Sequence, residues 1–390
     1  MASILDYLAW RGDLTIVERP FNEVDNLILA ELSYLDFSGI VPAEFTGGGV
    51  PLADAVAAFT KRTPHADMGV LVPDTIPDLA RHMAQSARFR ALLLDGYVCT
   101  VDEGTQTQFS ALTIRLPDGS VYIAYRGTDD TIVGWREDFN MAFLPTVPAQ
   151  QHACRYLQAA IAAYPACPLR LGGHSKGGNL AVYAAVHCGE RAQEQITAVY
   201  NNDGPGFHSS LLGLPEHRRI ADRIQTFLPE SSVVGMLLEH EETYQVVKSN
   251  QIGLMQHDGF SWQVRGDRFV HLSDLTEGGK IVDETLRAFV RGLSQQQREQ
   301  FIDALFEVLT CTNAATLTDL KEGGFRTVYS MLKTVGNLDK DTRKALSSTL
   351  GLLVRSGAKS IGSSQPVQRL KNIKLVEWIS GKLVKDDDPA

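Results

Sequence analysis

Hydrophobic and polar positions alternate in period along this chain, and the changes of period mark its elements. Residues 20–36, PFNEVDNLILAELSYLD, carry apolar groups at helical spacing after Asn22, a residue type that caps helix N-termini, so a helix opens the fold. Residues 73–95 continue in helical style. The period then shortens. ALTIRL (111–116) and VYIAYRG (121–127) read as paired strands joined by Pro117-Asp118-Gly119-Ser120, which has hairpin chemistry and leaves Arg126-Gly127-Thr128 at a strand's C-terminal end.

Further on, an amphipathic helix (151–163) precedes the short apolar strand PLRLGG, the Ala-rich helix NLAVYAAVHCG ending at Gly189, and the strand ITAVYNN (196–202). That last strand runs into the Asp203-Gly204-Pro205-Gly206 turn. Strand alternating with helix predicts an α/β fold with a mostly parallel sheet flanked by helices. Beyond about residue 283 only helical periodicity remains, as in ETLRAFVRGL and QQREQFIDALFEVL. At 390 residues the chain exceeds what one core usually supports, so residues 1–282 are expected to form the main domain and 283–390 a helical C-terminal appendage. The stretch 370–384 is expected to pack on the main domain, with a frayed charged tail after it.

Composition narrows the partners. Against 46 Asp and Glu stand 37 Lys and Arg, and a net charge of −9 disfavours nucleic acid and anionic lipid. No run approaches the roughly 18 apolar residues of a membrane span, and Asp6 and Asp13 interrupt the N-terminus where a secretory signal would be apolar. A cytoplasmic protein without stable membrane insertion is expected. Cys99, Cys154, Cys167, Cys188 and Cys311 are scattered without a CxxC pair, which predicts reduced, mostly buried thiols. No phosphate-binding loop, dinucleotide fingerprint, HExxH or His/Asp cluster of metal-site spacing occurs, so neither cofactor nor metal is expected.

The chemistry concentrates in LRLGGHSKGGNLAVYAA. Gly173-His174-Ser175-Lys176-Gly177 fits the G-x-S-x-G nucleophile elbow, in which a serine sits on a strained strand-to-helix turn and flanking glycines remove the clashes. The apolar strand before it and the helix after it supply the required context. At that helix N-terminus the Lys176 amide points toward an oxyanion forming beside Ser175. A second oxyanion donor belongs on a loop after an earlier strand, where the Thr128 amide, with its hydroxyl, is the candidate.

The order of these elements resembles that of class 3 (fungal-type) triacylglycerol lipases over roughly residues 105–260, with YRGT preceding the GHSKG elbow. More closely, FNEVDNLILAELSYLDF, YRGTDDTIVGWREDFNM, GGHSKGGNLAVYAA, YNNDGPGF and QHDGFSW resemble a bacterial lipase-like family of unknown function over most of the chain. The resemblance implies an α/β-hydrolase-like core and leaves the substrate unstated.

A nucleophilic serine needs a base that follows it in chain order. His257, in Gln256-His257-Asp258-Gly259 after the strand-like YQVVKS (244–249), is the first candidate and His271 the second; His187, His208, His217 and His240 read as surface or helix-end residues. For the acid, Asp203 could orient a histidine from the sheet's edge. In class 3 lipases, however, the acid follows the next strand in a D-x-V-P-like stretch, and here FLPESSVVG has Ser231 and Ser232 in its place. Glu230 and Asp258 therefore stay open beside Asp203.

The predicted chemistry is hydrolysis of a small-molecule or lipid ester through an acyl-enzyme on Ser175. A thioesterase or peptidase with the same site, and a non-catalytic scaffold favoured by the missing Asp, are the rivals. A lid is expected within 205–243, where the chain mixes Gly, Pro and Leu.

Overall fold

The structure is a computed structural model describing residues 2–69, 72–141, 144–238, 240, 243–277 and 280, together with 302, 303, 306, 315, 316, 318 and 319. The appendage expected at 283–390, Cys311 and the 370–384 helix thus lie outside the described residues, apart from those few positions.

The chain opens with α1 (Ile4–Arg11) and α2 (Glu23–Leu32). Asn22 caps α2 as its sequence predicts: its side chain accepts from the Val24 and Asp25 amides while Asp25 accepts from the Asn22 amide. β1 (Val50–Pro51), α3 (Leu52–Arg62) and α4 (Ile76–Gln85) follow, then the antiparallel strands β2 (Leu93–Asp102), β3 (Thr107–Arg115) and β4 (Val121–Tyr125). The next elements are α5 (Ile132–Met141), α6 (Pro148–Ala163), β5 (Leu169–His174), α7 (Lys176–His187), α8 (Glu190–Gln193) and β6 (Ile196–Asn202). After α9 (Ser209–Leu212) and α10 (Pro215–Ile220) come β7 (Ile224–Pro229), β8 (Tyr244–Val247), β9 (Val264–Arg265), β10 (Arg268–Phe269) and β11 (His271–Leu272).

The main sheet runs β1-β2-β3-β4-β5-β6-β7-β8-β11, while β9 and β10 pair separately. β4 to β8 are parallel and form its centre; both margins are antiparallel. Helices cover both faces, which explains why VYIAY in β4 is apolar throughout. Tyr122 and Ala124 pack with Leu27 and Ile28 of α2, whereas Val121, Ile123 and Tyr125 pack with Leu157 of α6 and Ala181 and Ala184 of α7. A buried Arg88 locks α2 in place by bonding Asp25 and the carbonyls of Leu14, Thr15, Arg19 and Pro20. Asn26 ties the same helix to Asn202 at the end of β6 (2.8 Å) and to Tyr122 (2.8 Å).

Three expectations need correction. The helical reading of 73–95 holds only over Ile76–Gln85: residues 86–91 form a bend and turns, and Leu93 already pairs with Arg115 in the sheet, which leaves too few strand residues in the stretch to show a period. The segment 205–243 is not one lid, since β7 inside it pairs with β6 and β8. Among the described cysteines all four are free, but Cys99 is exposed and Cys154, Cys167 and Cys188 are only partly buried.

Candidate active site

The turn after β5 has the geometry its glycines imply. Ser175 adopts φ 57° and ψ −133°, a conformation that is strained for any L-residue. A Cβ on Gly173 would lie 2.3 Å from the Gly177 carbonyl carbon, and one on Gly177 would lie 2.1 Å from the Tyr125 oxygen, so neither position tolerates a side chain. The Ser175 amide donates to Asn202 O at 2.9 Å, pinning the elbow to β6. Lys176 opens α7, so its amide belongs to the first helical turn, which has no acceptor within the helix.

His257 ends a short 3-10 turn (Gly253–His257). Its Nδ1 donates to Asp203 Oδ2 at 2.7 Å, joining residues 54 apart in sequence and leaving Nε2 as the nitrogen with a lone pair. Asp203 is fully buried in a left-handed conformation (φ 52°), and its amide donates to Phe227 O. Its other oxygen accepts from the Ser232 hydroxyl and from the Gly235 amide at 3.2 Å.

The other candidates go elsewhere. Asp258 caps the next turn by accepting from the Phe260 amide, Glu230 faces the Ser249 amide, and His271 pairs with Glu23 at 2.8 Å on β11. His217 lies in the last turn of α10, as a helix-end residue, but is buried rather than on the surface.

Thr128 follows β4, beside the elbow strand in the sheet, and its hydroxyl donates to Asp138 of α5. Burial pushes the Asp138 carboxyl up to about 6, opposed by Lys176 and by the Thr128 bond. The Lys176 ammonium is buried and reaches Glu137 (3.1 Å), the Gln108 side chain and the Gln108 carbonyl (2.9 Å), with Asp138 at 3.8 Å. Glu137 also accepts from the Gln108 and Ala149 amides. Sequence reading missed Glu137, Gln108 and Ser232. A lysine at the start of a buried helix was the available signal, because a buried ammonium demands a carboxylate.

Ser175 opens on a narrow cleft lined by Asp138 and Lys176 and by the apolar Met141, Pro205, Val234, Leu237 and Leu238, with about 40 Å³ of free space. Among the described residues no group of three or more His, Cys, Asp or Glu could hold a metal ion, and no helix is long and apolar enough to cross a membrane.

Parallel strands bearing a nucleophile-type elbow on β5 and a loop candidate after β4 define an α/β-hydrolase-like fold. The chain belongs to the Mbeg1-like family, whose model matches residues 83–307. Among solved structures it is similar to lipase II from Rhizopus niveus (11% identity, 63% of this chain and 83% of that one, TM-score 0.37). Similar too are a Rhizomucor miehei lipase propeptide complex (14%, 59% and 69%, TM-score 0.35) and the lipase from Rhizopus microsporus var. chinensis (14%, 62% and 79%, TM-score 0.32). Among curated proteins none matches the chain.

Proposed function

We propose that the protein is a serine hydrolase that cleaves a carboxylic ester through an acyl-enzyme. Ser175 Oγ attacks the ester carbonyl as its proton passes to His257 Nε2, while Asp203 holds the imidazole in the required tautomer and stabilises the imidazolium. The amides of Thr128 and Lys176 receive the oxyanion. Collapse expels the alcohol, protonated by His257, and a water activated in the same way releases the acid.

The observation that carries this reading is the 2.7 Å bond from His257 to Asp203, made by a buried carboxylate beside a strained serine elbow. The serines at 231 and 232 argue for a non-catalytic scaffold in the sequence. Against that argument, the Asp203 carboxylate bonds His257 and accepts from Ser232, which supports Asp203 as the acid. The predominance of apolar residues along the cleft, with Asp138 and Lys176 beside Ser175, favours a hydrocarbon acyl group over a peptide.

Labelling with a fluorophosphonate probe tests the reading. The adduct is expected on Ser175, abolished by Ser175→Ala and greatly slowed by His257→Ala, with turnover of a panel of acyl esters. A folded wild-type protein that neither labels nor turns over esters would return the scaffold reading.

A further inference from the structure

The N-terminal motif NEVDNLILAELSYLD has no part in the chemistry above, yet its helix ends beneath the elbow. We propose that His174 is a positioning residue for His257, held in the one tautomer that serves this purpose by Tyr34, just past the end of α2. The proposal rests on the hydrolase reading of Ser175 and His257.

His174 lies 2.7 Å through Nε2 from the main-chain oxygen of His257. A carbonyl only accepts, so Nε2 carries the hydrogen and Nδ1 the lone pair. Tyr34 supplies the matching donor: its hydroxyl sits 3.1 Å from Nδ1. The two imidazoles also pack together, with ring centroids 4.5 Å apart. His257 is thereby held at its main chain and at its ring face, while Asp203 holds its edge. Burial, reinforced by the neighbouring His257, pushes His174 down to about 3, so it stays neutral and does not compete for the Ser175 proton.

Glu31 completes the arrangement. Both its carboxyl oxygens are buried without a hydrogen-bond partner among the described residues, and Oε1 is 3.9 Å from His174 Nδ1. Burial, followed by the nearby Asp258, raises its pKa well above the ordinary carboxyl range, which favours the uncharged acid. An ionised carboxylate would draw a proton onto Nδ1 and expel the Tyr34 donor; the neutral acid leaves the tautomer alone. Glu31 and Tyr34 also press on the two glycines that flank the site. A Cβ on Gly259 would meet Glu31 Oε1 at 2.6 Å, and one on Gly127 would meet the Tyr34 hydroxyl at 2.2 Å. One helix end thus touches the Thr128 loop, the elbow and the His257 turn together.

The test compares fluorophosphonate labelling of Ser175 in the full-length wild type, His174→Leu, His174→Gln and Tyr34→Phe, resolving the maximal rate from probe affinity, with thermal unfolding of each. His174→Leu is expected to lower the maximal rate by about 10- to 100-fold at unchanged affinity, as misplacement of a base does. His174→Gln, whose amide can reach the same carbonyl, is expected to recover most of the rate, with Tyr34→Phe in between. A folded His174→Leu protein labelled at the wild-type rate would overturn the proposal and leave the hydrolase reading standing, as would a Gln variant no better than Leu. If His174→Leu does not fold, Tyr34→Phe carries the decision, and an unchanged rate overturns the proposal. An unlabelled wild type would overturn the hydrolase reading, and the proposal with it.

Discussion

The Ser232 hydroxyl donates to Asp203 Oδ1, the carboxylate whose other oxygen accepts from His257. Resemblance to class 3 lipases implies an acid in the stretch after β7, where Ser232 stands. β6 and β7 are neighbours in register, with Asn202 opposite Phe227, so a carboxylate leaving either strand end can reach one imidazole. Asp203→Asn is expected to lower ester turnover by about 10³–10⁴-fold by reversing the histidine tautomer, and Ser232→Ala by no more than about tenfold, because the Gly235 amide still holds Asp203. Steady-state kinetics on the best ester of a panel would check both; an Asp203→Asn protein with near wild-type turnover would move the acid elsewhere.

Lys176 and Glu137 form a buried ion pair beside Ser175, each side chain about 1% exposed or less. Removing one partner leaves the other charge uncompensated, so Lys176→Met should destabilise the fold by about 3–5 kcal/mol in denaturant unfolding. Adding Glu137→Gln should recover part of that loss. Additive losses in the double variant would show that the pair is not coupled.

Asp138 carries a pH dependence of known sign. Its folded-state pKa of about 6 exceeds the ordinary carboxyl value, so between about pH 4 and 6 the folded chain holds a proton that the unfolded chain releases. Stability owed to Asp138 is therefore present below that window and is lost as pH rises through it. Melting temperatures of wild type relative to Asp138→Asn should fall from pH 4 to 6, and a flat difference would contradict the assignment.

The cleft over Ser175 holds about 40 Å³, room for a few waters at about 10–15 Å³ each, so an acyl chain must displace its walls. Leu238, one of those walls, has φ 68°, a strained conformation for a leucine. Hydrogen exchange is expected to be faster in residues 231–238 than in β5 and β6. Protection equal to that of the sheet would mean that acyl groups enter by another route.

Local pattern determined much of this molecule. Asn22 before an apolar 3.6-residue period specified α2, and Pro117-Asp118-Gly119-Ser120 between two apolar runs specified the β3–β4 hairpin. Gly173 and Gly177 around a serine specified the elbow, because backbone contacts within a few ångströms leave no alternative residue there. The same local reading failed at 86–95, where turns lead into only the first three residues of β2, and at 205–243, where Gly, Pro and Leu obscured β7.

Which groups meet across the chain was decided by tertiary structure alone. Asp203, Glu230 and Asp258 are chemically equivalent in sequence; sheet register brings Asp203 to His257, while Asp258 turns to its own Phe260 amide. Lys176 announces a buried partner without saying which, and Glu137 is selected because α5 packs against β3. Glu31 and Tyr34 read as an ordinary helix end until the fold sets them against His174, 140 residues beyond Tyr34. Hydrogen bonds and ion pairs act over about 3–4 Å in space, and sequence distance carries no information about that separation once the chain has folded.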